Sequence, residues 1–89
     1  MYLHLGQDTV VKLADIVGIF DLENATISRH TRATLAAAEK AGKVVNVSSE
    51  MPKSFCVCCH GKETRIYISQ ISSVTLKRRS GFMDSIANI

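Results

Sequence analysis

One long helix signal, at residues 27–41 (ISRHTRATLAAAEKA), constrains the fold more than any other part of this chain. Its apolar and small residues recur every three to four positions and therefore share one face of a helix: they are Ile27, Thr31, Leu35 and Ala38. Thr26 or Ser28 is expected to cap the start, and Gly42 to supply the left-handed stop. Because this face carries few large apolar residues, the helix needs a broad apolar surface to lie on.

The rest of the chain predicts strands that could supply this surface. Short β-branched or alternating runs between turn residues lie at 1–5, 9–12, 16–20, 44–47, 54–59 and 64–69. Ser72 or Ser73 is expected to cap a short second helix ending at Arg79. The predicted fold is α+β and sandwich-like: a small, mostly antiparallel sheet of about six strands, with one main helix after the third strand and a short C-terminal helix. Residues 1–79 form the domain, and residues 80–89 form a tail.

The third of these runs, IVGIF at residues 16–20, is continuously apolar. Such a run suits a central strand buried on both faces, or one covered by the helix on one side and by a partner on the other. Gly18 within it predicts a bulge or a close approach of another group to the backbone. Pro52 cannot donate a ladder hydrogen bond, so it is expected just before the fifth strand.

Length and composition predict a single small domain with a marginal core of its own. The chain has 89 residues, of which 46% are apolar, and a domain of this size buries only about 60–65% of its unfolded surface. Burial between subunits would stabilise it further. The sequence therefore favours self-association, with copies of the same chain as the first expected partner.

The modest net charge of +3 is unevenly distributed. Residues 1–25 hold four acids and one lysine, whereas residues 26–89 hold ten lysines and arginines and four acids, which gives +6 for that part. This basic part could face an anionic partner such as DNA, and the alternative is an ordinary solvated surface.

The chain shows no targeting or membrane signal. Its start lacks the basic flank and apolar run of a signal peptide, and no apolar stretch approaches the ~20 residues of a membrane span. The three cysteines are an odd number within four positions of one another, which is not a disulfide framework. We therefore expect a protein of the reducing cytoplasm without a membrane partner.

The run Cys56-Val57-Cys58-Cys59-His60 has the residue types of a zinc site. On a strand, however, Cys56, Cys58 and His60 would share one face and Cys59 the other, which is not the spacing of a zinc knuckle. A nucleophilic Cys–His pair is disfavoured as well, because no acid stands nearby to orient the imidazole. We interpret these cysteines as small buried residues, and we predict no metal and no cofactor.

Cations are concentrated at three places. Arg29, Arg32, Lys40 and Lys43 fall on one predicted helix stripe, Lys77, Arg78 and Arg79 end the second helix, and Lys53 stands alone beside Pro52. Each could contact phosphate, although a solvated face is the favoured interpretation of the stripe alone and dipole complementation explains part of the terminal run. No catalytic motif accompanies them, so we predict no catalytic residue and no enzyme.

Several segments resemble the RemA/RemB family of bacterial extracellular matrix regulatory proteins, once a domain of unknown function, DUF370. The resemblance covers residues 1–79 and is carried by Leu5-Gly6, by DIVGIFD at 15–21, by PKSF at 52–55, by YISQISS at 67–73 and by TLKRR at 75–79. It implies a cytoplasmic, non-enzymatic protein. The better-known member of the family regulates transcription of biofilm-matrix genes, binds DNA and assembles into a ring, so this chain is expected to do the same.

The sequence departs from that family at positions that serve DNA. Asp15, Glu50 and Met51 stand where the DNA-binding relative has arginines, whereas Lys53 keeps a cation. The resemblance then implies that DNA contacts come from Lys53, from Arg29 and Arg32, or from Lys77, Arg78 and Arg79.

Two further hypotheses stay open. One is an oligomeric scaffold that binds another protein and has lost the DNA surface. The other is a metal-sensing module built on Cys56, Cys58 and His60.

Overall fold

The computed structural model describes residues 1–22 and 29–81. Its elements are β1 (Tyr2–Gly6), β2 (Thr9–Lys12), β3 (Ile16–Asp21), α1 (Arg29–Lys40), β4 (Val44–Asn46), β5 (Ser54–His60), β6 (Glu63–Ser69) and α2 (Ser73–Ser80), with a one-turn 3-10 helix, Leu13–Asp15, before β3. The predicted α+β class with six mostly antiparallel strands is confirmed. The predicted caps Thr26 and Ser28, the predicted helix start at Ile27 and the tail beyond Gly81 lie outside the described residues.

The six strands form two sheets, so the prediction of one sheet is wrong. β1 and β2 make an antiparallel hairpin, and the other four strands are ordered β3-β5-β6-β4, with β4 parallel to β6 and the other pairs antiparallel. The 3-10 turn Leu13–Asp15 separates β2 from β3. Because this turn redirects the chain between the two strands, the hairpin lies over the larger sheet instead of extending it.

β3 lies at an edge of the four-stranded sheet, which corrects the prediction of a central strand. Ile19 is its only buried residue, whereas Val17 is 64% and Phe20 45% exposed. The bulge predicted at Gly18 is confirmed by the register shift between Ile16 and Gly18. A Cβ at Gly18 would lie 2.7 Å from the ring of Phe20, so the predicted close approach is confirmed as well.

The two faces of this sheet have different coverings. The core face packs against the hairpin and α2, and its buried cluster consists of Leu3, Leu5, Val11, Ile19, Val47, Cys56, Cys58 and Leu76. Strand residues that alternate with these point to the helix face, where α1 lies. There Phe20 stacks on Phe55 with ring centroids 4.9 Å apart, and Leu35 of α1 borders a groove of about 190 Å³ above them.

The predicted caps are confirmed at the end of α1 and at the start of α2, and α2 ends at Ser80, one residue beyond the predicted Arg79. After α1, Gly42 adopts φ 73°, its amide donates to Glu39, and the Lys43 amide donates to Ala38, which is the bond pair of a Schellman motif. At the start of α2, the Ser72 hydroxyl oxygen accepts from the Thr75 amide at 3.2 Å. The capping rules therefore hold where the chain is described.

Candidate nucleic-acid interface

Buried serines fix the end of the sheet where Lys53 stands. Ser54 and Ser69 are 0% exposed and pair across β5 and β6. The Ser69 hydroxyl donates to the Leu5 carbonyl at 2.7 Å and accepts from the Ile71 amide at 3.0 Å, while the Ser54 hydroxyl donates to the Ile71 carbonyl at 2.7 Å. Because buried hydroxyls need partners, these bonds join β1, β5, β6 and the segment before α2 into one unit.

The backbone of Lys53 is held from both sides, and its side chain is exposed. Its amide donates to the Ser69 carbonyl and its carbonyl accepts from the Leu22 amide, each at 2.9 Å. Pro52 precedes it outside β5, as predicted. The ammonium group is therefore presented to solvent from a fixed point at the end of the sheet.

The cations Lys77, Arg78 and Arg79 lie in the last turn of α2. Leu76, which is 0% exposed, anchors this turn to the core face, while Arg78 and Arg79 are exposed and Lys77 is half-buried. The negative end of the helix dipole stabilises each exposed cation there by about 0.3–1 kcal/mol. Helix stability alone therefore accounts for part of this basic run.

Arg29 and Arg32 lie near the start of α1, and both are exposed. Cations are not favoured by the dipole at that end of a helix, so helix stability does not explain them. Lys40 lies in the last turn, but Lys43 follows Gly42 in the turn before β4. The predicted stripe of four cations is therefore divided between the helix and the turn.

The structure does not gather the candidate cations into one pocket. They stand on three separate elements and comprise Lys53, Arg29, Arg32, Lys77, Arg78 and Arg79. Within residues 1–22 and 29–81, the ion pairs are His60–Asp15 and Arg65–Glu63. Neither of these two ion pairs involves any of the six candidate cations.

Asp15 and His60 form a contact that sequence reasoning missed. His60 Nδ1 lies 3.3 Å from both carboxylate oxygens of Asp15, so the expectation that no acid stands near this imidazole is wrong. The two residues are 45 positions apart and meet because β3 runs antiparallel to β5. No spacing rule predicts such a pair, because it depends on which strands are neighbours.

This ion pair borders a cleft of about 260 Å³ between the hairpin and the larger sheet. Lys12 and Arg65 contribute positive charge to its lining, while Asp15 and Glu63 contribute negative charge. A cleft that carries both signs has no electrostatic preference for phosphate. We therefore do not include it in the candidate interface.

Glu50 and Met51, two of the three positions where the resemblance implies arginine, lie close to Lys53 in the sequence. Glu50 and Met51 are exposed in the loop before β5, with Met51 82% exposed, and the Glu50 amide donates to the Ser48 hydroxyl oxygen at 3.1 Å. Asp15 lies at the other end of the β3–β5 pair, near His60. The three positions at which the resemblance implies arginine therefore lie at opposite ends of this strand pair.

The three cysteines lie on β5, whose alternation places Cys56 and Cys58 on one face of the sheet and Cys59 on the other. Cys56 and Cys58 are buried, as predicted, with their sulfur atoms 3.7 Å apart, whereas Cys59 is exposed, which the burial prediction missed. The hydrogen bond to Cys58 and burial raise the pKa of the Cys56 thiol, which keeps it protonated. Within residues 1–22 and 29–81, no three potential ligands come together, so the metal-sensing hypothesis gains no support there.

Among the described residues, none of the helices has the length and apolar character needed to cross a bilayer. Exposed charged groups surround a small packed core. These features define a small α+β domain.

Comparison with known proteins identifies the family. The chain is 43% identical over 86 residues to the extracellular matrix regulatory protein B of Bacillus subtilis (strain 168), covering 97% of this chain and 98% of that relative. No family model matches the sequence. Identity at this level over nearly the whole chain shows that this protein belongs to the family of extracellular matrix regulatory protein B.

Proposed function

We propose that this chain is a non-enzymatic, cytoplasmic regulator of extracellular matrix genes that works as a homo-oligomer, ring-like in form, and binds DNA through its phosphates. The observation that carries the proposal is the 43% identity, over 97% of the chain, to a protein named for the regulation of extracellular matrix. Because nearly the whole length is matched, the regulatory role is transferred to the complete domain rather than to one motif.

The exposed cations support the DNA part of the proposal. A single subunit carries only +3, which is weak for nucleic-acid binding, but an assembly multiplies that charge over one continuous surface. Contacts to the phosphate backbone require no base reading and release counterions, so binding falls steeply with salt. Lys53 and Arg29 with Arg32 are the strongest candidates, because helix stability does not account for them.

The test is the mass in solution with and without duplex DNA, combined with a salt titration of DNA affinity. Removing three cations, as in Lys53→Gln with Arg29→Gln and Arg32→Gln, should lower the slope of log K against log salt by about 0.9 per lost phosphate contact. The matched control removes three cations outside the candidate set, through Lys12→Gln, Lys62→Gln and Arg65→Gln. An equal loss in both variants, or no binding at low salt, would contradict the proposed interface.

A second function is favoured by one observation. Asp15 and Glu50 place negative charge, and Met51 an exposed thioether, where the family's DNA-binding member has arginines. A scaffold that binds another protein through these positions would show no shift of DNA at low salt. It would lose its partner on Glu50→Arg with Met51→Arg, and the control Glu63→Arg on the β5–β6 hairpin would keep it.

A further inference from the structure

The most apolar strand of the protein stands at an open edge of the sheet. β3 reads IVGIFD, a pattern typical of strands buried on both sides, yet Val17 is 64% and Phe20 45% exposed. Exposed apolar residues on an edge strand are a template for pairing with another strand. Its sequence is therefore that of a strand which is covered when the protein functions.

The opposite edge of the same sheet is β4, and among residues 1–22 and 29–81 no strand pairs with the outer side of β3 or of β4. On its inner side, β4 bonds to β6: the Ile66 amide donates to the Lys43 carbonyl, and the Val47 amide donates to the Ile68 carbonyl, both at 2.9 Å. Bonding directions alternate along a parallel strand, so the intervening Val44 and Asn46 direct their amides and carbonyls away from β6. These groups can pair with a further strand.

The two edges match in direction and in charge. β3 is antiparallel to β5, β5 is antiparallel to β6, and β4 is parallel to β6, so β3 and β4 run the same way. Asp15 and Asp21 stand at the ends of β3, whereas Lys40 and Lys43 precede β4. In a parallel alignment, the acidic start of β3 would meet the basic start of a neighbouring β4.

We infer that the β3 edge of one copy pairs in parallel with the β4 edge of a second copy and buries Val17 and Phe20. This inference rests on the self-association in the proposed function and names the surfaces that carry it. The contact is heterologous, because each copy uses two different edges, and repetition of such a contact closes a ring or extends a filament. A copy of the same chain is the occupant that fits, since both complementary edges belong to one subunit.

The first test changes the β3 edge at its most exposed apolar side chain. Val17→Lys places a cation within the paired edge, close to the basic start of the neighbouring β4, so the apparent association constant should fall at least about tenfold, which corresponds to about 1.4 kcal/mol. The matched controls are Val10→Lys on β2 and Val74→Lys on α2, which are 52% and 51% exposed in the single chain. Both should associate as the unaltered protein does, by light scattering and sedimentation.

The second test uses mixtures, because a heterologous contact permits complementation. Asn46→Pro removes an outward amide from β4 and leaves the bond of Val47 to β6. Each of the two variants, Val17→Lys and Asn46→Pro, should be monomeric alone, and their mixture should form a species of two subunits through the one intact pair of edges. Circular dichroism reports whether Asn46→Pro folds, and Lys43→Glu replaces it if it does not.

The outcomes separate the inference from the proposed function. If the unaltered protein stays a single subunit at micromolar concentration, both the self-association and this interface are wrong. If it assembles and both edge variants assemble equally well, the interface is wrong while the oligomeric proposal stands. Assembly of either variant alone into complete rings would overturn the inference as well.

Discussion

On the core face of the four-stranded sheet, Cys56 and Leu76 are 0% and Ile19 4% exposed. On the helix face, Phe55 and Ile66 are buried as well, each 3% exposed, but Phe20 is 45% exposed and Leu35 only half-buried. The core face is covered by a hairpin and by a helix tied down through hydrogen bonds. The helix face is covered by α1, whose described residues offer Leu35 and small alanines. The core face is therefore the more completely covered of the two, and the helix face retains a groove beside the β3 edge.

The largest expected effect tests this difference by deleting one leucine on each face. Leu76→Ala should lower the free energy of unfolding by about 2–5 kcal/mol, because it opens a cavity in a closed core. Leu35→Ala should cost less than about 1.5 kcal/mol, since the side chain is only partly buried and alanine favours the helix. Denaturant unfolding of both variants measures the two values at one protein concentration, because association adds to apparent stability.

Equal losses of unfolding free energy in the two variants would contradict the difference between the faces. If Leu35→Ala costs as much as Leu76→Ala, the helix face is as well packed as the core face in solution. A difference that appears only at high protein concentration would instead locate the stabilisation at a contact between copies.

The second effect concerns the hydrogen bonds that close the core face. Ser69→Ala leaves the Leu5 carbonyl and the Ile71 amide without the serine hydroxyl, so it should cost about 1–3 kcal/mol. The matched control is Ser48→Ala, which removes an exposed serine that accepts one bond from Glu50 and should change stability by less than about 0.5 kcal/mol. A loss below that of the control would mean that water replaces the hydroxyl.

These contrasts also mark what the sequence could predict. Alternating and continuous apolar runs predicted six strands and both helices, and the capping residues Gly42 and Ser72 act as their chemistry requires. The number of sheets and the edge position of β3 were missed, because local pattern reports how apolar a strand is and not which strands are its neighbours. The apolar pattern of residues 16–20 is the same whether these residues are buried by their own chain or by another subunit.

The candidate site shows the same limit. Lys53 could be singled out from its place beside Pro52, but its support by Ser54 and Ser69 could not, since those serines reach β1 and the segment before α2 through long-range contacts. The pair of Asp15 and His60 was missed for the same reason. Arg29, Arg32 and the α2 cations remain predictions of a DNA surface, which the salt titration tests.

The smallest expected effect is a difference in thiol reactivity between the two faces, which is measured on the folded protein without changing its stability. Cys59 is exposed on the helix face and should react with an alkylating reagent at pH 8 within minutes, whereas Cys56 should react only through unfolding, because burial shields it and its raised pKa keeps the thiol protonated. Cys59→Ser should abolish the fast phase, and Cys56→Ser should leave it intact. Fast labelling of Cys56 itself, located by mass spectrometry in the unaltered protein, would mean that the core face opens readily, and would remove the distinction between the faces.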